Sequence, residues 1–457
     1  MLNLRARQRD NSNGRTGTAV RGLDDDRGSA LVAVMGITTA VLLVGMAIFI
    51  LGHSEGDIVE YACDDARAFY IAEGGLERVR GWLGDLHKSD PTADPVGTVF
   101  ENQSLGGGTY SISIEDKSSS GGMAAYEVVS VGEIDGVERG VRSIMLAETF
   151  SRFQWFVERG GWKWFRTGEV FEGPVHVNGS LQIDGDPWFG GRVTVGGNVI
   201  TEKQGSNPTF VEGYELNVEE MALPTPAEME AMVKVAALNG GIYAPPLTAK
   251  DSFYTVEFGQ PTPGEVTYTG VTQKKNGTMK TVSGPFVRDL SAAFNGSAWF
   301  EGSVAVEGVI DGQMTLCATG DIEIWDDVLY YDSSPGHGPN PGCDDVLGLI
   351  ALNDIIISYT VPNRNDCEIH GVMMALEKEI SAEDYMHYAP RGDIIIYGGL
   401  IADYSIHLGQ FDGNVCVSGY ERDYRYDPRL FSMPPPFFPY TGRYIVYSWE
   451  EMNPLEA

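Results

Sequence analysis

The sequence predicts an α+β protein: a long N-terminal helix that starts as a transmembrane segment and continues as an amphipathic one, a small antiparallel sheet, and a large β-rich domain. Three observations carry this reading. Residues 28–51 (GSALVAVMGITTAVLLVGMAIFIL) hold no charge, and as a helix they would reach roughly 36 Å, more than a ~30 Å hydrocarbon core. Apolar residues then repeat along one helix side at Phe69, Ala72, Leu76, Val79, Leu83 and Leu86. From Tyr110 onward the apolar period shortens to two, the signature of strands.

Each element follows in order. Six arginines and four aspartates precede the apolar run, so the positive-inside rule keeps residues 1–28 in the cytoplasm. The segment 53–90 is the amphipathic extension, which Gly74 and Gly75 weaken by about 1 kcal/mol each relative to alanine. Tyr110, Ile112 and Ile114 alternate with serines, and two further strand-like runs lie between 126 and 148. This predicts an antiparallel sheet over 91–150 that covers the apolar stripe of the helix. From Gly168 the chain breaks into short β runs punctuated by Gly, Asn or Asp (VHVNG, LQIDG, VTVGGN, DIIIYGG). Runs this short suit the rungs of a parallel β-solenoid, with an irregular β-sandwich as the alternative, so 151–457 is expected to form the β-rich head. A helical and polar insertion is expected over 201–295, opened by the capping box at Thr225 and Glu228 with Pro226 at the first helical position.

The chain has 457 residues, 43% of them apolar, and 64 acids against 32 basic residues, a net charge of -32. That composition argues for a folded protein and against nucleic acid as a partner. Glycine numbers 57 with no Gly-X-Y period, which points to many tight turns and not to collagen.

The junction RGSALVAVMGITTAVLLVGMAIFIL, followed by ARAFYIAEGGLERVRGWL at 66–83, resembles the N-terminal region of PilX-type type IV minor pilins and related pseudopilins. The resemblance implies cleavage by a prepilin peptidase between Gly28 and Ser29, with Ser29 as the new N-terminus. It also implies helix packing against other pilins or pseudopilins in the inner membrane, with the head in the periplasm or at the cell surface, including a pilus tip. Major pilins of that family carry glutamate at the fifth position after the cut; here it is Ala33, a departure that suits a low-copy initiating or capping subunit. Three further stretches, at 347–358, 399–409 and 419–451, resemble the C-terminal part of long bacterial proteins with a pilin-like start.

The sequence has no His-Glu-x-x-His, no phosphate loop and no CxxC. Cys317, Cys343, Cys367 and Cys416 share the β domain and could pair as disulfides in three ways or remain buried thiols, while Cys63 lies in the helix. Seven histidines are scattered without ligand spacing. Asp326, Asp327 and Asp332, with Asp344 and Asp345 beyond a Gly/Pro-rich loop, are a speculative calcium site, since Ca²⁺ takes six to eight oxygens. The polyproline and aromatic tail at 433–444 is expected to cap an open end of the solenoid.

Two function classes follow. The first is a non-enzymatic, membrane-anchored assembly or adhesion subunit of a type IV pilus or related secretion filament, displaying a β-rich head that could meet a surface ligand and needing no cofactor. The alternative is a membrane-anchored β-helix enzyme acting on polysaccharide, which would require carboxylates, basic residues and aromatics gathered on one face.

Overall fold

The computed structural model describes residues 26–89, 93–97, 100–118, 124–159, 164–198, 200–275, 277–291 and 293–452. By contacts the chain divides into two compact units, residues 1–67 and 68–457. The expected leader residues 1–25 lie outside the described residues.

One helix, α1, runs over Asp26–Ser89 without interruption, so the expected transmembrane and amphipathic segments are stretches of a single element. In the first unit its large apolar side chains from Leu31 to Leu51 are 56–75% exposed. The hydroxyls of Thr38 and Thr39 are satisfied within the helix by the carbonyls of Val34 and Met35, so no side-chain polar group between Ala30 and Leu51 is left without a partner.

In the second unit, the helix from Ala68 onward lies on an antiparallel meander of β1 (Phe100–Leu105), β2 (Gly108–Asp116), β3 (Ala125–Ile134) and β4 (Val137–Thr149). Ala68, Ile71, Ala72, Leu76, Val79 and Leu83 form one core with Tyr110, Ile112, Ile114, Val128 and Met145. Close approach explains the glycines that weaken the helix alone. A Cβ on Gly75 would stand 2.5 Å from Ser130 Oγ, and one on Gly132 of β3 would stand 2.2 Å from the Ala68 carbonyl. The β3–β4 hairpin turns at Asp135 and Gly136, both at positive φ (51° and 83°), the backbone that two-residue hairpins of this hand require.

The sheet has a fifth strand: Tyr440–Met452 pairs antiparallel with β4. This corrects the expected boundary, because Tyr440–Met452 belongs to the small sheet and not to the head; the chain leaves the sheet at Thr149 and returns to it some 290 residues later, at Tyr440.

Between these points, parallel ladders stack strand upon strand. Ile242, Ala298, Leu316, Leu349, Met373 and Leu400 stand in one register column. The column continues through Trp155, Val175, Val193 and Tyr214. The later part of the chain therefore stacks onto the earlier part through Leu400 and Trp155. The last four positions are 20, 18 and 21 residues apart (155 to 175, 175 to 193, 193 to 214), which is why no fixed period shows in the sequence. A second set of ladders runs from Ser252–Phe258 through Val304–Ile310, Ile322–Tyr330, Ile355–Ile357 and Glu379–Ala382 to Ser405–His407. Inside the earlier rungs, Phe171, Phe189 and Phe210 stack with centroids 5.5 and 5.0 Å apart.

Two long strands, Cys367–Ala375 and Pro390–Ala402, carry glycine at positive φ in register, Gly371 (φ 138°) beside Gly398 (φ 146°). A Cβ on Gly398 would stand 2.0 Å from the Gly371 carbonyl oxygen, so no other residue fits there.

Two further expectations need correction. Strands Ile200–Glu202, Thr209–Phe210 and Tyr214–Leu216 still pair as rungs, and Glu265–Gln273 and Met279–Asp289 form a hairpin, so 201–295 is not one polar insertion. What interrupts the β structure is a helical stretch, Pro226–Met229 continued to Leu238, with the Thr225–Glu228 capping box in place. The tail does not cover an open end. Leu430 and Phe438 pack with Val346, Ile350, Val372, Met374 and Ile401, on one side of the same strands whose alternate residues Leu347, Leu349, Met373 and Leu400 fill the other core.

Candidate assembly surface and head site

The apolar stretch of α1 is the first candidate surface. Ser29–Lys88 is long and apolar enough to cross a membrane by length and composition. Gly28 and Ser29 lie within the described helix, and Ala33 occupies an exposed helical position with no carboxylate. Of the residues selected for helix packing, Ala72, Leu76, Val79 and Leu83 are buried against the sheet and Phe69 is partly buried, edge-on to Trp449 at 6.1 Å.

A cleft of about 590 Å³ lies in the second unit, where the end of α1, the 219–232 segment and the start of the C-terminal strand meet. Gly84, Lys88, Glu148, Leu223 and Arg443 are among its walls. Arg443 Nη2 donates to the Glu219 carbonyl at 2.8 Å, and Glu148 accepts from Thr441 at 2.9 Å and from Arg152. Arg443 and Glu148 thus hold the cleft's own walls together.

The three aspartates chosen as calcium ligands do not converge. Asp326 Oδ1 accepts from the Asp327 backbone N–H, Asp327 Oδ1 accepts from the Glu368 N–H at 2.8 Å, and the Asp332 N–H donates to Asp345 Oδ2 at 3.0 Å. Burial raises the Asp327 carboxyl pKa, against the Glu368 backbone hydrogen bond that lowers it, and the Asp326 charge adds to the rise. Among the described residues, no three His, Cys, Asp or Glu side chains are placed to hold a metal. The five cysteines are free thiols: Cys317, Cys343 and Cys367 are buried, Cys416 half-buried and Cys63 exposed.

Two histidines that the sequence leaves unremarkable are buried and polar-partnered. His176 Nδ1 is 2.8 Å from Thr194 Oγ1 and Nε2 is 2.8 Å from Asn178 Oδ1. Asn178 in turn bonds both the N–H and the carbonyl of Met221, tying the 217–225 segment to the rungs. Burial draws the His176 pKa down to about 4, against the Asn178 hydrogen bond that raises it. His370 accepts from the Tyr330 N–H at Nδ1 and meets Glu368 Oε1 at 2.9 Å through Nε2, which places its proton on Nε2; burial lowers its pKa. The signal that could have found both is their position inside β runs, at VHV and CEIHGV.

Buried ionic groups are likewise engaged in structure. Arg422 Nη1 is 2.9 Å from Glu169 Oε1, with the guanidinium 4.2 Å from the Phe411 ring centroid. Arg429 Nη2 is 2.7 Å from Asp427 Oδ2.

The family model described as "Domain of unknown function (DUF4900)" matches residues 111–198, from within β2 into the early parallel rungs. No curated protein matches the sequence. Among solved structures, the competence-associated pilin ComZ from Thermus thermophilus is similar at 12% identity, over 85% of this chain and 97% of that one, with a TM-score of 0.31.

Proposed function

We propose that this protein is a membrane-anchored, pilin-like structural subunit of a type IV pilus or related secretion filament, cut by a prepilin peptidase between Gly28 and Ser29. The observation that supports it best is α1 itself. One uninterrupted helix presents an uncharged, exposed stretch long enough for a bilayer and then buries Ala72, Leu76, Val79 and Leu83 on a small antiparallel sheet. Such a helix anchors the precursor in the inner membrane and, after the cut, packs against the helices of other pilins. Ala33, where a carboxylate would bind a neighbour's N-terminal amine, favours a low-copy position at a filament end over repeated use in a shaft. The β-rich head then acts outside the membrane by position and contact, without turnover or cofactor; the structural engagement of its buried charges supports that.

N-terminal sequencing of the protein from cells with an active prepilin peptidase tests the reading. The mature chain begins at Ser29; an intact Met1 start overturns it. Polysaccharide cleavage by the purified protein would favour an enzyme instead.

A further inference from the structure

Both ends of the stacked rungs carry strands bonded on one side only. At one end, Ile200–Glu202, Thr209–Phe210 and Tyr214–Leu216 each pair with the rung before them, and among the described residues nothing pairs with their other edges. At the opposite end, Met279–Asp289 pairs with Glu265–Gln273 alone, and that hairpin reaches the stack through Ser252–Phe258. The Leu290 N–H donates to the Gly264 carbonyl at 2.8 Å, which makes Glu265 and Asp289 a widely spaced pair. Two residues along, Val287 is in the same phase, so its N–H and carbonyl point away from the hairpin onto the free edge. Both ends also expose apolar side chains: Val211 and Tyr214 at the first, Val282, Phe286 and Val287 at the second.

The two ends differ in charge. In a chain of net charge -32, residues 266–288 contain Lys274, Lys275, Lys280 and Arg288 and no acid. Lys274, Lys275 and Lys280 are exposed and make no ion pair among the described residues. In the terminal rung, Glu202 and Glu212 are exposed and likewise unpaired among the described residues, whereas Lys203 is taken by Asp184 at 2.6 Å and Glu215 by Arg192 at 2.8 Å.

We propose that the occupant of each end is the opposite end of a second copy of this chain, the acidic terminal rung of one head meeting the basic hairpin of the next. Charge selects this pairing. Hairpin against hairpin sets lysines face to face, and rung against rung sets glutamates face to face, whereas rung against hairpin is attractive and joins two free strand edges. The contact is head to tail, so it does not close on itself and can extend. It stands apart from the filament reading, since it joins heads and not membrane helices.

Charge reversal at both ends tests it, using the full chain in detergent micelles and sedimentation velocity at low salt. The wild type associates with rising concentration and dissociates as salt screens the exposed charges. The triple variant K274E/K275E/K280E and the double variant E202K/E212K, whose substituted side chains are exposed, each associate about tenfold more weakly or worse. An equimolar mixture of the two recovers association, because each supplies the end that complements the other. A wild type that stays monomeric, single variants that still associate, or a mixture that stays dissociated overturns the proposal; association through the apolar helices would ignore both salt and these substitutions.

Discussion

The hydroxyl of Tyr444 lies 2.9 Å from Nδ1 of His87, joining the C-terminal strand to the last turns of α1 across 357 residues of chain. His87 Nε2 is 2.9 Å from the Ala93 carbonyl and therefore carries the proton. Nδ1 accepts from Tyr444, with the helix's own Leu83 carbonyl at 3.1 Å beside it. The Tyr126 ring lies 6.0 Å from both, stacked on His87 and tilted to Tyr444.

Tyr444→Phe keeps the ring packing and leaves His87 Nδ1 buried without its donor. The expected cost is about 1 kcal/mol, read as a lower denaturant midpoint with an unchanged slope. A midpoint equal to wild type would show that the hydrogen bond contributes nothing net.

Leu76 is 4% exposed in the core between α1 and the sheet. Leu76→Ala is expected to destabilise the second unit by about 2 to 5 kcal/mol. Phe69, only partly buried, should cost less on truncation, so comparing the two by denaturant unfolding tests the helix orientation.

Gly398→Ala would drive a methyl group into the Gly371 carbonyl at a φ of 146°, and the expected result is loss of soluble folded protein. Gly413 also has positive φ, 58°, but a Cβ there meets nothing within 4 Å. Gly413→Ala should therefore cost only about 1 kcal/mol, and thermal unfolding of the pair separates backbone strain from steric collision.

His176 makes stability fall in acid. Its folded pKa of about 4 lies below the ordinary 6.5, so between those values the unfolded chain binds a proton that the folded chain does not. Stability is complete above about pH 6.5 and declines as pH falls toward 4, by up to roughly 3 kcal/mol. His370, also lowered by burial, acts with the same sign. Denaturant unfolding at pH 7.5 and 5 should show a smaller difference for His176→Gln than for wild type.

The sequence shows what is local and conceals what is remote. The charge-free run in α1 and the alternation at Tyr110, Ile112 and Ile114 declare helix and strand, because their signal lies within a few residues. Leu347–Ala351 and Val372–Ala375 read as unbroken apolar runs for a structural reason: Leu349 faces the interior of the stack while Ile350 packs beneath Phe438 and Leu430, so both faces of the strand are covered. The Tyr440–Met452 strand was not legible as a partner of β4, since its outward side chains are mostly exposed and its pairing spans some 300 residues. Polyproline and aromatics at 433–444 suggest an end cap, yet nothing local specifies which surface such a tail covers. The calcium expectation rested on spacing along the chain, which does not show that Asp326 and Asp327 accept from the backbone N–H groups of Asp327 and Glu368 or that Asp332 gives its own N–H to Asp345.

The return of Tyr440–Met452 to β4 has a consequence for synthesis. β1 to β4 leave the ribosome early, but the strand that closes their open edge is made some 290 residues later. Throughout translation of the intervening head, β4 presents Val141–Met145 as an unpaired border, exposed to mispairing with other nascent chains. Completion of the sheet therefore reports that the whole head has been delivered, and a chain truncated anywhere before Tyr440 leaves that border open.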